Sequence, residues 1–284
     1  MVNIIADSTC DLSPELIEKY GVRIIPLFVR MDEEERVDGV NVTPDELFSW
    51  SDKTKKIPLT AAPTLDSILK TYEEELEKAD ELVVFAIASG MSSTCSNCIT
   101  AAGMSDTPER IHVIDSANLS TGIGLLVIRA ALMASSGSSG KEIAEEMERL
   151  IPLVRASFVV DTLVFLHRGG RCSGTEMMLG NILQLHPRIE VKDGAMHPAK
   201  KYRGSAKNYV MNYVKDMEPD LKKAQKDRVF ITHSGCSDEI LDRVKTYLES
   251  LQVFDEILIT RAGSVISSHC GPGTLGVLFI AGEE

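Results

Sequence analysis

The fold of this chain is decided by the stretch Leu82-Val83-Val84-Phe85-Ala86-Ile87-Ala88-Ser89-Gly90-Met91-Ser92-Ser93-Thr94. Its first six residues form an unbroken apolar run, which is typical of a strand that is buried on both faces of a parallel sheet. Small polar residues follow directly and lead into residues 96–104, which we expect to form a helix. A turn of this kind leaves unpaired backbone N–H groups at the start of the helix, where a carboxylate or phosphate can bind.

Strand and helix patterns alternate in the same way throughout the first half of the chain. Strands are predicted at residues 4–6, 22–29 and 111–114, and helices at residues 14–19, 65–78, 122–134 and 139–150. The motif Thr43-Pro44-Asp45-Glu46 adds a strong helix start, because threonine caps a helix and proline suits its first position. This alternation predicts a mostly parallel sheet that is flanked by helices.

The second half of the chain has a different layout. A hairpin is predicted around Asp193-Gly194, a dipeptide that favours a tight two-residue turn. Strands are predicted at residues 154–160, 228–232, 256–260 and 277–280, and helices at residues 206–217 and 238–249. We therefore predict two α/β domains: an N-terminal domain of residues 1–155, and a smaller C-terminal domain of residues 156–284 with a mixed sheet.

Composition places the chain among ordinary globular proteins. It has 284 residues, of which 44% are hydrophobic and 25% are charged, and a formal net charge of −12. No apolar run approaches the ~20 residues of a membrane-spanning helix, and the N-terminus lacks the basic segment of a secretory signal. The six cysteines show no disulfide framework, which suits a reducing compartment. A cytoplasmic location is the expectation.

The negative charge is concentrated in residues 1–155, whereas residues 167–207 carry an excess of lysine and arginine. Such a basic segment in an acidic protein is a candidate surface for an anionic partner, and it is equally consistent with a solvated face. Aromatic residues are not interleaved with a long basic stripe, so nucleic acid is not an expected partner.

Three polar turns follow predicted strands of the first half, at Asp7-Ser8-Thr9, at residues 89–94 and at Asp115-Ser116. The carboxyl ends of parallel strands meet at one edge of the sheet, where ligands bind in open α/β folds. Each turn alone could be no more than a helix cap, but three of them at one edge favour a site for a small anion. His269 lies in a further polar turn, residues 267–273, and can add a donor from a distant part of the chain.

Motifs for catalysis or cofactor binding are not visible in the sequence. It lacks a Gly-x-Ser-x-Gly nucleophile turn, a Walker loop, a dinucleotide-binding glycine motif and any metal-ligand spacing, so we expect no cofactor, no metal and no catalytic residue. Cys95-Ser96-Asn97-Cys98 has the spacing of a redox pair but lacks its usual flanking residues. A binding protein is favoured over an enzyme. The alternatives are a small-molecule phosphotransferase and a dithiol oxidoreductase that uses Cys95 and Cys98.

Taken together, the motifs resemble those of the DegV family, the fatty-acid-binding subunits of bacterial fatty acid kinase. The resemblance covers nearly the whole chain and rests on six short motifs in this order: Asp7-Ser8-Thr9-Cys10-Asp11-Leu12, Thr60-Ala61-Ala62-Pro63-Thr64, Ser92-Ser93-Thr94, Val113-Ile114-Asp115-Ser116, Arg168-Gly169-Gly170-Arg171-Cys172-Ser173 and His269-Cys270-Gly271-Pro272-Gly273. Each motif is weak alone, but their order is specific. The resemblance implies two α/β domains with an acyl chain in a tunnel between them. It also implies a separate ATP-dependent kinase subunit that phosphorylates the carboxylate of the bound long-chain fatty acid.

The resemblance also implies roles for individual residues. The fatty acid carboxylate would be held by Ser92, by the backbone of Ser93 and Thr94, by a residue of the segment 60–64, with Thr60 as first choice, and by His269. Contact with the acyl phosphate or with the kinase is implied for Asp38, Arg171 and Arg203.

Two motifs depart from the family pattern. The motif at residues 92–95 lacks a glycine and a tyrosine, and the segment 60–64 lacks one hydroxyl, so the hydroxyl of that segment that meets the ligand stays open. Apolar residues at 24–25, 123–128 and 177–179 could line the tunnel, and each of them also fits an ordinary core. Transient contact with a membrane is compatible with a lipid ligand.

Overall fold

The computed structural model describes residues 1–171 and 185–282. The first sheet contains β1 (Val2–Asp7), β2 (Arg23–Ile25), β6 (Glu81–Ala86) and β7 (Ile111–Asp115). All four strands are parallel, in the order β2-β1-β6-β7. Strand β6 is buried along almost its whole length and has a neighbour on each side, as its unbroken apolar run predicts.

Helices lie between these strands along the chain and after the last of them. They are α1 (Pro14–Tyr20), α2 (Pro44–Thr54), α3 (Leu65–Leu76), α4 (Thr94–Met104), α5 (Thr121–Ser135) and α6 (Gly140–Leu150). Thr43 and Ser139 each form a capping box with the glutamate three residues later, so these two helix starts follow from local sequence. Helix α5 is buried along most of its length.

The prediction of one strand over residues 22–29 is wrong. Pro26 divides this segment into β2 and a separate strand, β3 (Phe28–Met31), because proline cannot donate to a ladder. Strand β3 pairs with β4 (Glu34–Val37) and β5 (Leu59–Ala61) in a small antiparallel sheet, which the sequence did not reveal. This small sheet carries Thr60.

The second large sheet is mixed. Its strands are β8 (Val154–Val159), β9 (Leu185–Lys192), β10 (Ala195–Arg203), β11 (Ala224–His233), β12 (Glu256–Arg261) and β13 (Leu275–Ala281), in the order β10-β9-β8-β13-β11-β12. Only the β11–β12 pair is parallel among these described strands. The predicted hairpin is confirmed, with positive φ at both Asp193 (50°) and Gly194 (71°), as a type I′ turn requires. The predicted α/β fold class is confirmed as well.

The remaining helices are α7 (Val164–Gly169), α8 (Ala206–Asp216), α9 (Glu218–Leu221), α10 (Asp238–Ser250) and α11 (Ser264–Cys270). The prediction of a polar turn over residues 267–273 is wrong in its first part, since residues 267–270 are helical. Helix α11 has only seven residues and no side-chain cap from its neighbours in sequence, so no local signal marks its start.

The largest apolar cluster contains residues from both halves of the chain. Phe85 of β6 and Leu126 of α5 belong to it together with Phe158 of β8 and Leu278 of β13. Helix α5 contacts both large sheets, because it packs on β1 and also on β13. The division into residues 1–155 and 156–284 stays a prediction, and the predicted lining segment 177–179 lies outside the described residues.

Candidate functional site

A cavity of about 370 Å³ lies between the two halves of the chain, within the usual range for small-molecule sites. Its wall is mainly apolar and comes from the loop after β6, from α7, α11 and the second large sheet, among other elements. The apolar side chains that line it are Leu27, Ile87, Met91, Leu119, Phe158, Leu166, Met196, Val265, Ile266 and Leu278. A wall of this composition suits an apolar ligand, because apolar surface leaves water on binding.

Hydroxyl and imidazole groups come together at one end of this cavity. Thr60 Oγ1 on β5 and His269 Nε2 at the end of α11 are 3.0 Å apart, although 209 residues separate them in sequence. Ser92, which precedes α4, lines the same cavity. Its hydroxyl shares a hydrogen bond of 2.8 Å with the hydroxyl of Thr94 and accepts the N–H of Thr94 at 3.2 Å.

His269 is uncharged at neutral pH in this environment. Burial and, to a smaller extent, the nearby Arg171 guanidinium together lower its pKa to about 4. Its Nδ1 atom is buried and has no hydrogen-bond partner among the residues that the structure describes. Gly169 lies against this face of the ring, since a Cβ at that position would come within 2.5 Å of Nδ1. The ring is therefore held between Thr60 and Gly169. In its neutral form it carries a single N–H, which can donate one hydrogen bond at the site.

The structure brings together five of the eight residues that the sequence suggested for the site. Thr60, Ser92, Ser93, Arg171 and His269 all line the cavity. The Arg171 guanidinium donates to Gly169 O at 2.7 Å. Thr94 is fully buried behind Ser92 and does not line the cavity.

Asp38 and Arg203 lie apart from the other predicted residues. Arg203 is exposed at the end of β10, opposite Leu185, and is not part of the cavity wall. Asp38 is 3% exposed and accepts hydrogen bonds from Ser8 Oγ and from Ser264 N, both at 2.8 Å. Its carboxylate is thus enclosed by the protein and holds the start of α11.

Asp11 is a second carboxylate at the same helix end, and the sequence did not single it out for the site. It accepts the N–H of Gly263 at 2.8 Å and also bonds the Ser120 hydroxyl. Burial raises the pKa of Asp11 and of Asp38, and the negative charges of Asp38 and Asp7 raise the pKa of Asp11 further. The two aspartates therefore fix the N-terminal end of the helix that carries His269 at its other end. Sequence reasoning could not predict this role, because both aspartates lie far from that helix in the sequence.

The predicted polar edge of the parallel sheet is present, but its aspartates organise the loops. Asp7 accepts the N–H of Ile87 at 2.7 Å, and Asp115 accepts the N–H of Ser89 at 3.2 Å. Neither carboxylate lines the cavity. Burial raises the pKa of Asp7 to about 6. These bonds hold the loop that presents Ser92.

A second cleft of about 410 Å³ adjoins the polar end of the cavity and shares Thr60, Arg171 and His269 with it. Arg30 and Arg168 also line this cleft. Three arginines and one carboxylate residue, Glu35, therefore line the cleft, and the excess of positive charge can bind an anionic group.

The cysteine pair that the sequence offered for redox chemistry is buried. Cys95 and Cys98 are 1% and 0% exposed, and burial raises their pKa to about 11 and about 12. Thiols of this kind are unreactive, because the thiolate is the nucleophile. Within residues 1–171 and 185–282, no group of histidine, cysteine, aspartate and glutamate side chains could hold a metal ion. None of the helices described is both long and apolar enough to cross a membrane.

Comparison with known proteins gives consistent matches over the full length. A DegV domain-containing protein of Caldanaerobacter subterraneus subsp. tengcongensis is 31% identical over 280 residues, which cover 98% of each chain. A solved structure of a DegV family protein from Thermus thermophilus, described for fatty acid binding, superposes with a TM-score of 0.91 at 31% identity over 99% of both chains. A stearic acid-binding protein from Eubacterium ventriosum superposes with a TM-score of 0.86 at 27% identity, over 99% of this chain and 98% of the other.

The family model described as "Uncharacterised protein, DegV family" matches residues 1–282. This range includes both large sheets, the small sheet that carries Thr60 and the helix that carries His269. Sequence, fold and full-length coverage agree, and the chain belongs to the DegV family.

Proposed function

We propose that this protein binds a long-chain fatty acid, with its acyl chain in the 370 Å³ cavity and its carboxylate at the polar end. The observation that carries the proposal is the contact between Thr60 and His269, from distant segments, in an apolar cavity that Ser92 also lines. Two of the relatives are described as binding fatty acids, one of them stearic acid, which supports a ligand of the same class here.

The two parts of the ligand would contribute differently to binding. Each buried methylene contributes ~0.8 kcal/mol, and the ordering of the chain removes part of that sum. The carboxylate leaves water and needs donors in return, because an unpaired buried charge is costly. The Ser92 hydroxyl and the neutral His269–Thr60 pair supply such donors, and Ser93 N–H lies at the start of α4 where anions are favoured.

Binding of stearate and of stearyl alcohol to the same variants tests the carboxylate site. We expect Ser92→Ala and His269→Gln each to weaken stearate binding by about tenfold or more, because each removes a hydrogen bond to a charged group worth ~1.5–3 kcal/mol. Neither should change the binding of the alcohol. Ser96→Ala is the matched control, since Ser96 is exposed on α4, just after Ser92, and its hydroxyl donates to Ser93 O. Equal affinity of the wild type for alcohol and acid would rule out a carboxylate site.

We further propose that the bound carboxylate is presented to a separate ATP-dependent kinase, with the protein itself acting as a binding subunit in the cytoplasm. The arginine-lined cleft beside His269 supports this, because guanidinium groups suit bidentate contacts with phosphate. The carboxylate of Asp38 is buried and accepts the N–H of Ser264, so Asp38 would position α11 in this function. Exposed Leu59 beside this cleft is compatible with transient contact with a membrane.

Two arginine variants separate binding from presentation. We expect Arg171→Ala and Arg203→Ala to keep bound fatty acid and to lose most phosphorylation by the kinase, because neither group is needed to enclose the acyl chain. Lipid occupancy and kinase-coupled turnover are measured on the same preparations. Loss of occupancy would assign these arginines to the integrity of the fold instead.

The alternative enzyme functions have no support in the site. The two cysteines are buried and their pKa is raised, so a dithiol oxidoreductase lacks its nucleophile. We expect the double variant Cys95→Ala/Cys98→Ala to retain lipid binding.

A further inference from the structure

One wall of the cavity is a row of residues across the second large sheet. Phe158 of β8, Gly276 of β13 and Thr232 of β11 lie opposite one another in register, and all three line the cavity. Phe158 is apolar and Gly276 has no side chain, so Thr232 is the residue of these three that carries a hydroxyl. It is 5% exposed. Ser234 and Thr274 also line the cavity, but their hydroxyls donate to the carbonyls of Gly271 and Cys270.

The Thr232 hydroxyl belongs to a chain of three buried hydroxyls. Its Oγ1 lies 2.6 Å from Thr121 Oγ1 at the start of α5 and 3.2 Å from Thr260 Oγ1 on β12. Thr121 is 0% exposed and Thr260 is 3% exposed. These are the hydrogen bonds of the three side chains within the part of the chain that the structure describes.

The three threonine hydroxyls have more donor hydrogens than they have hydrogen bonds within their own network. Three threonine hydroxyls carry three donor hydrogens, and the two bonds between them use two. One O–H therefore has no acceptor among the residues that the structure describes. A buried donor without a partner is unfavourable, and Thr232 is the member of the chain that faces the cavity. An acceptor on the ligand would complete the network.

The position of Thr232 along the cavity fixes where that acceptor would lie. Helix α11 runs along the wall, with Ala262 just before its start and His269 in its last turn, both lining the cavity. The N–H of Ala262 donates to the carbonyl of His233, next to Thr232, at 2.9 Å. Seven residues of helix correspond to ~10 Å. Thr232 is thus well removed from the carboxylate end.

We propose that this cavity selects acyl chains that carry an oxygen acceptor, a ketone or a hydroxyl, in mid-chain opposite Thr232. The inference rests on the proposed fatty acid function and names the substrate class more narrowly. The spare O–H of the threonine chain donates to that oxygen, while the apolar walls on either side hold the hydrocarbon segments. No covalent step is involved.

Oxostearic acids test the proposal, because a ketone accepts a hydrogen bond and cannot donate one. We would compare stearate with three isomers whose ketone lies near the carboxylate, in mid-chain or near the methyl end. For the wild type we expect the mid-chain isomer to bind about fivefold tighter than stearate, and the other two isomers to bind no better than stearate.

Variants of the threonine chain provide matched controls. Thr232→Val keeps the shape of the side chain and should abolish the preference while stearate is still bound. Thr232→Ser and Thr260→Val should both keep the preference, because a hydroxyl remains at the wall and one O–H is still left over. These two variants also cover the case in which Thr232→Val does not fold.

The outcomes separate this inference from the proposed function. Stearate binding without any preference for the mid-chain ketone would overturn the inference alone, and would mean that the spare O–H is satisfied by water. A preference that survives in Thr232→Val would overturn it as well. Failure of the wild type to bind any of the four acids would overturn the fatty acid function itself.

Discussion

The imidazole of His269 joins the two sides of the polar end at the residue scale. Its Nε2 pairs with Thr60 Oγ1, and its Nδ1 is buried against Gly169. A charged ring here would lie near the Arg171 guanidinium, so the folded protein keeps the ring neutral. Neutrality matters for the site, because the ring then holds a single proton that it can share with Thr60 or with a bound carboxylate.

This neutrality predicts a dependence of stability on pH. The pKa of His269 is about 4 in the folded protein, below the usual value near 6.5, so the unfolded chain binds this proton at a higher pH than the folded protein does. The free energy of unfolding should therefore fall as the pH is lowered from about 6.5 to about 4. We expect His269→Gln to lack this part of the loss, which urea unfolding at a series of pH values would measure.

The comparison between wild type and His269→Gln is needed because other groups act in the opposite direction. The pKa of buried Asp7 is raised to about 6, so its contribution to stability is present at low pH and is lost as the pH rises through that value. This contribution is shared by both proteins and cancels in their difference. Parallel pH profiles for the two proteins would contradict a buried neutral His269.

Sequence motifs identified part of this site because those residues follow recognisable strands or glycine-rich turns. Ser92 follows the apolar run of β6, and His269 precedes Gly271-Pro272-Gly273. Asp11 and Gly169 also lie in recognised motifs, but the sequence assigns them no role, because their roles arise from contacts with α11, which is far away in sequence. Asp38 was predicted to contact the acyl phosphate or the kinase, but its carboxylate is buried and positions α11. The sequence alone does not show which aspartates are buried.

At the element scale, the packing of α7 against α11 determines where the imidazole lies. Gly169 ends α7, and an added Cβ would meet Nδ1 of His269 at 2.5 Å, closer than real contacts allow. We expect Gly169→Ala to displace the ring and to weaken stearate binding by about tenfold, with little change in binding of stearyl alcohol. Isothermal titration with both ligands would measure this.

Gly103→Ala is the matched control for this substitution. Gly103 lies in α4 with nothing within 4 Å of an added Cβ. Alanine there should raise the free energy of unfolding by about 0.5–1 kcal/mol and leave both affinities unchanged. Unaltered stearate affinity in Gly169→Ala would show that the close approach of the two helices does not position the ring.

The start of α11 gives a second prediction at this scale. Removal of the Asp11 carboxylate leaves the buried N–H of Gly263 and the hydroxyl of Ser120 without their partner. Asp11→Ala should lower the free energy of unfolding by about 1–3 kcal/mol in urea titrations. Asp45→Ala, which breaks an exposed pair with Arg261 near the same helix, should cost no more than about 1 kcal/mol. Equal losses in the two variants would argue against a special role for Asp11.

Element predictions from sequence succeeded where signals are local and failed where they are not. The Asp193-Gly194 turn and the capped start of α2 are encoded by adjacent residues, and both are confirmed. Pro26 broke the predicted strand over 22–29, and the second piece joined a sheet whose partner, β5, has only three residues. Helix α11 was missed because distant aspartates supply its first hydrogen bonds.

At the scale of the whole molecule, the cavity exists only where the two halves of the chain pack together. Its wall includes Ile87 and Leu119 from the first half and Phe158 and Leu278 from the second. All four belong to one apolar cluster that also contains residues of α5. The alternating strand and helix patterns predicted the α/β class. They could not predict this shared core, because it depends on contacts between segments that are distant in sequence. A ligand in the cavity would therefore stabilise both halves at once.

The most direct test of the account is the mass of lipid carried by the protein as it is purified from a bacterial host. An apolar cavity of about 370 Å³ with donors at one end should retain fatty acid through purification. Mass spectrometry of a denatured extract is predicted to find about one long-chain fatty acid per protein molecule. A protein that carries no stoichiometric lipid, and that takes up no added stearate, would contradict the account.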